Sequence, residues 1–202
     1  RLVLSRLLGL LLAAQALAVR PPTYSDMFGV YSPDGRRVAF TSDRSGDPEI
    51  YVADLPSGCL SRLTAARGGD AHPAWSPDGR TIVFQSPRRG DDVRIYTMAA
   101  DGSGQRLLVD TRGFCGVPAW SPDGRHIAFQ CSSVTTGFGE KETPWRLFVV
   151  GSDGTGLRRL TDGPGNDQVP SWSADGKKIL FFSDRSGIDQ VYEIDVASGE
   201  TE

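Results

Sequence analysis

The chain is poor in the residues that most often build catalytic and metal centres. It has two histidines and three cysteines among 202 residues, too few for a multi-histidine zinc site or a full disulfide framework. No G-x-S-x-G motif is present, so these residues contain no nucleophile elbow. No basic run exceeds two residues and the net charge is −3, which disfavours a nucleic-acid surface. We therefore expect no catalytic site, metal, cofactor or nucleic-acid partner within this chain.

A seven-residue phrase recurs four times along the chain. It reads VYSPDGR, AWSPDGR, AWSPDGR and SWSADGK. Two alternating segments rich in β-branched and aromatic residues follow each copy, such as RRVAFTS and EIYVADL, and three copies continue into a short fourth segment. A period of roughly 40–45 residues with four strands per copy is typical of a β-propeller. The sequence thus predicts an all-β fold of about four antiparallel four-stranded blades, the last of them incomplete.

The repeat also predicts how the chain is divided. Residues 1–18 combine arginines, an apolar run and an Ala-Leu-Ala ending, which is typical of a secretory signal peptide, with an N-terminal helix of the fold as the alternative. A linker over 19–24 precedes a propeller over 25–202, and we expect its blades at about 25–65, 70–110, 115–162 and 167–202. A cleaved signal predicts a periplasmic or secreted protein without stable membrane insertion.

The two ends of the chain suggest a fragment of a longer protein. The sequence begins with Arg1 and stops at ASGETE, where the outer strand of the last blade should start. We expect further blades elsewhere in the full protein, or self-association to complete the propeller.

The repeat resembles that of TolB-type β-propellers. The strings FTSDRSGDPEIYVADL and PAWSPDGRHIAF carry the resemblance, which extends from residue 25 to the end of the chain. Such repeats occur in TolB proteins, in the propellers of prolyl-oligopeptidase-like serine peptidases, in some polysaccharide lyases and in bacterial sensors. The resemblance implies an exported, non-catalytic module that binds a protein or peptide. The alternative is the gating propeller of a larger serine peptidase whose catalytic domain lies outside this chain.

Most residues of the repeated phrase are predicted to be structural. Its aromatic residues are expected to pack between blades rather than to stack on ligands, and its glycines to permit a tight turn. Its aspartates recur once per blade, so they cannot converge on one substrate. The predicted structural residues are Tyr31, Trp75, Trp120, Trp172, Gly35, Gly79, Gly124 and Gly176.

Cysteine spacing around the third turn predicts a disulfide. If Trp120 faces His126 across the hairpin, then Cys115 faces Cys131, and opposed residues can be close enough to form a bridge. A register shift of one residue would separate the two sulfurs. Two buried thiols are the alternative.

Binding residues are expected on the rim opposite the S-P-D-G turns. The loops there vary in length and charge, and an insertion over 132–145 interrupts the third blade; variable loops on a rigid scaffold are the usual place for recognition. Local ion pairs and a solvated insertion are the alternatives. The candidate partner-binding residues are Asp43, Arg44, His72, Arg88, Arg89, Asp91, Phe138, Glu140, Trp145, Asp184 and Arg185.

Overall fold

A computed structural model describes residues 23–90, 92–132 and 144–201, which form β-strands joined by turns and loops. The predicted signal peptide and most of the linker lie outside the described residues. No helix in the described ranges is long and apolar enough to cross a bilayer. The strands are β1 (Asp26–Tyr31), β2 (Arg37–Ser42), β3 (Glu49–Asp54), β4 (Leu60–Arg62), β5 (Ala71–Trp75), β6 (Thr81–Ser86), β7 (Arg94–Ala99), β8 (Arg106–Val109), β9 (Phe114–Trp120), β10 (His126–Ser132), β11 (Arg146–Gly151), β12 (Arg158–Arg159), β13 (Asp167–Trp172), β14 (Lys178–Ser183) and β15 (Gln190–Asp195).

The strands pair in chain order into four antiparallel sheets, one per sequence repeat. Strands β1–β4, β5–β8 and β9–β12 form four-stranded sheets, and β13–β15 form a three-stranded one. Thr201 makes an isolated antiparallel bridge to Ile194 of β15, in the place where the outer strand lies in the other blades. The predicted all-β fold of propeller blades with an incomplete last blade is therefore confirmed.

Each S-P-D-G or S-A-D-G turn is closed by the same local contacts, illustrated by the second copy. The Ser76 hydroxyl donates to Asp78 Oδ1 at 2.6 Å, and the Arg80 amide donates to the same oxygen at 3.1 Å. Gly79 donates to the Ser76 carbonyl and has a φ of 68°, a left-handed conformation that favours glycine. The Ser76 hydroxyl, followed by the Arg80 amide, lowers the pKa of Asp78. The carboxylate therefore shapes the turn.

A tryptophan from each of blades two to four joins that blade to the one before it. The indole N–H of Trp75 donates to the Val30 carbonyl at 3.2 Å. Trp120 and Trp172 repeat this contact with the preceding inner strand. Apolar side chains fill the space behind them, and Ile82, Phe84 and Ile127 are among those with no exposed surface. These contacts give the three tryptophans a structural role between blades.

The outer faces of the first and last blades are uncovered in the described part of the chain. Tyr31 occupies the tryptophan position of blade one and is 67% exposed among the described residues, so its packing between blades stays a prediction. Leu180, Phe182 and Val191 of blade four are also exposed. The equivalent positions in the inner blades are covered by a neighbouring sheet, and this cover is lacking here.

Candidate functional site on the loop rim of the third blade

Backbone hydrogen bonds sort the connections onto two rims. The amide of Leu55, after β3, donates to the carbonyl of Arg36 in the first S-P-D-G turn, so both hairpin turns share what we call the turn rim. The amide of Asp70, in the link between blades one and two, donates to the carbonyl of Pro48 in the β2–β3 loop. The links between blades and these loops therefore share the opposite rim, which we call the loop rim.

An arginine clamp fixes the loop rim in blade two. Arg88 donates from Nη2 to Asp70 Oδ2 at 2.7 Å and from Nε to the Ser86 hydroxyl at 2.8 Å. Its guanidinium lies 5.2 Å from the ring centroid of Phe84 and 4.8 Å from that of Tyr96, within the range of a cation–π contact. The side chain thus ties the start of the inner strand to the middle of the sheet.

The same clamp recurs in the first and fourth blades. Arg44 pairs with Asp26, and Arg185 pairs with Asp167, both at 2.7 Å. Each guanidinium again lies over the aromatic pair of its own blade. The predicted partner-binding residues Arg44, Arg88 and Arg185 therefore form ion pairs within the fold, with aspartates 18 residues earlier and not within their own loops, and we do not carry them into the candidate site.

The predicted site residue His72 lies at a distorted position of an inner strand. Its φ is 53°, and the corresponding residues Phe28, Val117 and Val169 also have positive φ, because each inner strand carries a bulge at this point. The His72 ring stacks on Phe28 with centroids 3.7 Å apart, and burial lowers its pKa. His72 is thus a stacked residue of an inner strand, and its burial disfavours the charged form of the imidazole.

The remaining predicted rim residues divide into three groups. Asp43 accepts a hydrogen bond from the Ser25 amide at 2.6 Å. Asp184 accepts from the amide and the side chain of Asn166, and these bonds lower its pKa. Both carboxylates therefore order the segment that leads into the inner strand of their own blade. Arg89 is exposed at the tip of the β6–β7 loop. Three predicted residues lie outside the described ones: Asp91, Phe138 and Glu140.

Blade three replaces the clamp with a disulfide. Asp26 lies opposite Ser42 in blade one and Asp167 lies opposite Ser183 in blade four. The same two backbone positions in blade three carry Cys115 and Cys131, whose sulfurs are bonded at 1.97 Å. A covalent link between β9 and β10 thus stands where the other blades have a polar one.

The strand register beside the third turn differs from the register that predicted this disulfide. Trp120 lies opposite Ile127, not His126, so the residue sums around the turn are shifted by one. A bulge between Ala128 and Gln130 restores the offset further along the hairpin, since it inserts one extra residue into the inner strand. The bulge is therefore what brings Cys115 opposite Cys131.

A cavity opens on the loop rim beside the disulfide. Its volume is about 400 Å³. It borders Phe148, whose ring stacks on Phe129 at 5.8 Å between centroids in the manner of the ring pairs under the arginine clamps. The described residues that line it include three arginines and no carboxylate: Thr111, Arg112, Cys131, Pro144, Arg146, Phe148 and Arg159.

An aromatic pair lies on the same rim, at the starts of β9 and β11. The rings of Phe114 and Trp145 meet edge to face with centroids 5.5 Å apart, and Phe114 is 41% exposed. Asn166 holds the Trp145 backbone in place by accepting a hydrogen bond from its amide at 3.1 Å. Tryptophan and arginine are the residues most enriched at the energetic centres of protein interfaces. The site therefore combines the predicted residue Trp145 with arginines that the sequence reasoning missed.

The missed residues gave no signal in the sequence. Arg112 follows β8, Arg146 begins β11 and Arg159 lies in β12, so nearly fifty residues separate the first from the last. Phe114 and the arginines lie on one rim because β9–β12 pair in one sheet. The link from blade two, which carries Arg112, leads directly into β9. The insertion in the repeat was the one indication that this blade differs.

A family model described as the TolB beta propeller domain matches residues 18–110 and 103–202. The chain belongs to the TolB β-propeller family. It is 34% identical over 167 residues to a protein TolB homolog of Chlorobium luteolum, a match that covers 83% of this chain and 36% of that protein. The chain thus corresponds to about a third of the length of this curated relative.

Solved structures of TolB proteins share the fold. TolB from Acinetobacter baumannii superposes with a TM-score of 0.74 at 24% identity, over 88% of this chain and 43% of that one. A putative TolB from Agrobacterium tumefaciens gives 0.72 at 28% identity, over 85% of this chain and 62% of that one. The blades described here therefore correspond to a part of the propellers of these proteins.

Proposed function

We propose that the chain is a non-catalytic binding module that recognises a protein or peptide through the loop rim of its third blade. The observation that carries this proposal is that the exposed ring of Phe114, packed on Trp145, lies on the same rim as an arginine-lined cavity. Aromatic rings supply contact area at low entropic cost, and arginine supplies directed hydrogen bonds. The similarity to TolB proteins supports a binding role rather than a catalytic one.

The proposal is tested by partner capture from a periplasmic extract. A tagged chain is crosslinked to bound proteins, and the yield is compared with that of Trp145→Ala and Phe114→Ala. We expect the yield of at least one specific partner to fall about tenfold or more, as for an interface centre. Leu157→Ala removes a comparably exposed apolar side chain on the turn rim of the same blade and should leave the yield unchanged. Equal yields for all variants would contradict the rim assignment.

We further propose that the protein is exported to the periplasm. The signal-like sequence over residues 1–18 and the similarity to TolB proteins support this. Fractionation of cells that express the complete reading frame should recover the protein with periplasmic markers. Recovery with cytoplasmic markers would refute the proposal.

The alternative function, a gating propeller of a serine peptidase, makes a separate prediction. The complete reading frame would then encode a G-x-S-x-G nucleophile motif in a catalytic domain. Labelling of the full-length protein by a serine-reactive fluorophosphonate would favour this alternative. Failure to label, with no such motif in the reading frame, would favour the binding module.

Self-association through the end faces of the array also stays a prediction. The exposed side chains of Phe182 and Val191 support it, because contiguous apolar surface of this kind is usually covered. Sedimentation velocity should show a dimer for the unmodified chain and a monomer for Phe182→Asp. A monomer in both cases would contradict self-association.

A further inference from the structure

We propose that the cavity on the loop rim of blade three is a carboxylate-binding pocket, formed by Arg112, Arg146 and Arg159 beside the ring of Phe148. The inference rests on the proposed binding function, because the carboxylate would belong to an acidic side chain or the C-terminus of a peptide partner. A carboxylate is thus the chemical group that the loop rim would recognise.

The cavity residues of blade three can be compared with the residues at the corresponding positions of blade one. In blade one the first residue of the third strand is Glu49, which lies opposite Ser42, and its carboxylate accepts from Arg62 at 2.8 Å and from Thr64 at 2.6 Å. Arg62 lies opposite Tyr51 of the same third strand. Blade one therefore contains a complete pair between a buried carboxylate and an arginine of the outer strand.

Blade three keeps the arginine of this pair and loses the carboxylate. Arg159 lies opposite Phe148, as Arg62 lies opposite Tyr51, and its Nε donates to the Thr161 carbonyl as that of Arg62 does to Thr64. The position of Glu49 is occupied by Arg146, which lies opposite Cys131. Two arginines thus stand where blade one has an ion pair, and the cavity lies between them.

Arg146 is a buried arginine that borders the cavity. Its side chain is 8% exposed. It donates to the carbonyls of Trp145, Gly163 and Gly165. Its Nη1 lies 3.7 Å from Oδ2 of Asp167, and the other oxygen of that carboxylate binds Arg185. Burial lowers the pKa of Arg146, the carboxylate of Asp167 opposes this shift, and the charge of Arg159 adds to it. A buried guanidinium in this position gains from a further anion.

Two buried polar atoms of the cavity lining have no hydrogen-bond partner among the described residues. They are Nε of Arg146, a donor, and Oγ1 of Thr111, which can donate or accept. Buried polar atoms are normally satisfied. A carboxylate has two acceptor oxygens and can take bonds from both, as well as from a guanidinium fork.

The described lining of the cavity carries more positive than negative charge. Arg159 pairs with Asp162 at 2.7 Å, but that carboxylate is 82% exposed, so the pairing is weak. Arg112 is exposed and has no ion pair within the described ranges. A larger cavity of about 540 Å³ on the turn rim is lined by two arginines and two aspartates. The described lining of the blade-three cavity has arginines without aspartates.

The lining favours a carboxylate attached to an apolar group over an inorganic anion. Phe148 supplies an aromatic surface, and the volume of about 400 Å³ lies within the range of small-molecule pockets. A phosphate or sulfate ion is compact and strongly hydrated, so it would leave most of this space and the ring unused. A terminal or side-chain carboxylate of a peptide would fill both parts.

The test uses a pair of probes that differ only in the carboxylate. Binding of N-acetylphenylalanine and of N-acetylphenylalaninamide to the full chain is measured by isothermal titration calorimetry at low salt. We expect the acid to bind about tenfold or more tightly than the amide, because charge-assisted bonds to arginine are lost in the amide. Arg112→Gln and Arg159→Gln, singly and together, should weaken binding of the acid about tenfold or more. Both residues are at least partly exposed, so these variants should fold.

The matched control is Arg125→Gln, which removes an exposed arginine of the same blade on the turn rim and should leave binding unchanged. Equal binding of acid and amide, equal loss in Arg125→Gln, or tighter binding of inorganic phosphate would each overturn the proposal. Binding that emerges only in a Glu140→Gln, Glu142→Gln double variant would also overturn it, since the chain's own carboxylate would then be the occupant. Probe binding without a captured partner would leave the pocket standing and count against the proposed function alone.

Discussion

Replacement of Trp75 by phenylalanine tests how the blades are held together. Trp75 is 6% exposed, and its indole N–H donates to the Val30 carbonyl of the preceding blade at 3.2 Å. Arg37 of that blade lies over the ring at 4.5 Å and donates to the Gly79 carbonyl at 3.2 Å. One side chain therefore joins the two blades by apolar packing, by a hydrogen bond and by a cation–π contact.

The expected loss of stability follows from these three contacts. Loss of one hydrogen bond to a carbonyl that stays shielded costs about 1 kcal/mol. The smaller ring leaves unfilled volume, which costs about 1 kcal/mol more, and phenylalanine is a weaker partner for the guanidinium by about 0.5 kcal/mol. We expect the free energy of unfolding to fall by about 2.5 kcal/mol in Trp75→Phe.

Urea unfolding followed by far-ultraviolet circular dichroism measures this change without relying on tryptophan fluorescence. The matched control is Trp145→Phe, whose ring lies on the loop rim, and we expect a loss below about 0.5 kcal/mol for it. A change of less than about 0.5 kcal/mol in Trp75→Phe would refute the reasoning, as would an equal change in both variants.

Three further predictions concern the disulfide, the arginine clamp and the turns. Reduction of Cys115–Cys131, which are 16 residues apart, should lower the free energy of unfolding by about 3 kcal/mol, measured in urea with and without reductant. Asp70→Asn, at a fully buried carboxylate, should cost about 3 kcal/mol, whereas Asp110→Asn, at a 73% exposed partner of an arginine, should cost below about 0.5 kcal/mol. The pKa of Asp78 is lowered in the folded state, so its stabilisation is present above about pH 4 and is lost as the pH falls through the lowered pKa; thermal melts should show a shallower acid slope in Asp78→Asn.

The repeat predicted the blades because the contacts that make them are local. Ser76, Asp78 and Gly79 close their turn within five residues, and the alternating segments that follow pair with their neighbours in sequence. The rim assignment followed from the same alternation. Trp75 recurs at one place in each repeat, which indicated packing between blades before any contact was known.

Contacts across the rim were not accessible in this way. The S-D-R-S-G string indicated an ion pair within its own loop. Arg44 and Arg185 of the two strings pair instead with aspartates that begin inner strands 18 residues earlier, Asp26 and Asp167. The bulge that places Cys115 opposite Cys131 depends on a left-handed Val117, a conformation that a β-branched residue rarely adopts. Side chains of the neighbouring blade stabilise it, as Gln85 does by accepting from the Val117 amide at 3.1 Å.

The sequence by itself determined that the protein is a stack of antiparallel blades with one uniform rim and one variable rim. Those features repeat with the chain, and each is specified by residues a few positions apart. Only the tertiary structure decided that Arg112, Arg146 and Arg159 line one cavity in which the described residues supply no carboxylate. Their meeting depends on strand pairing and on the packing of consecutive blades, and neither leaves a pattern in the spacing of the three residues.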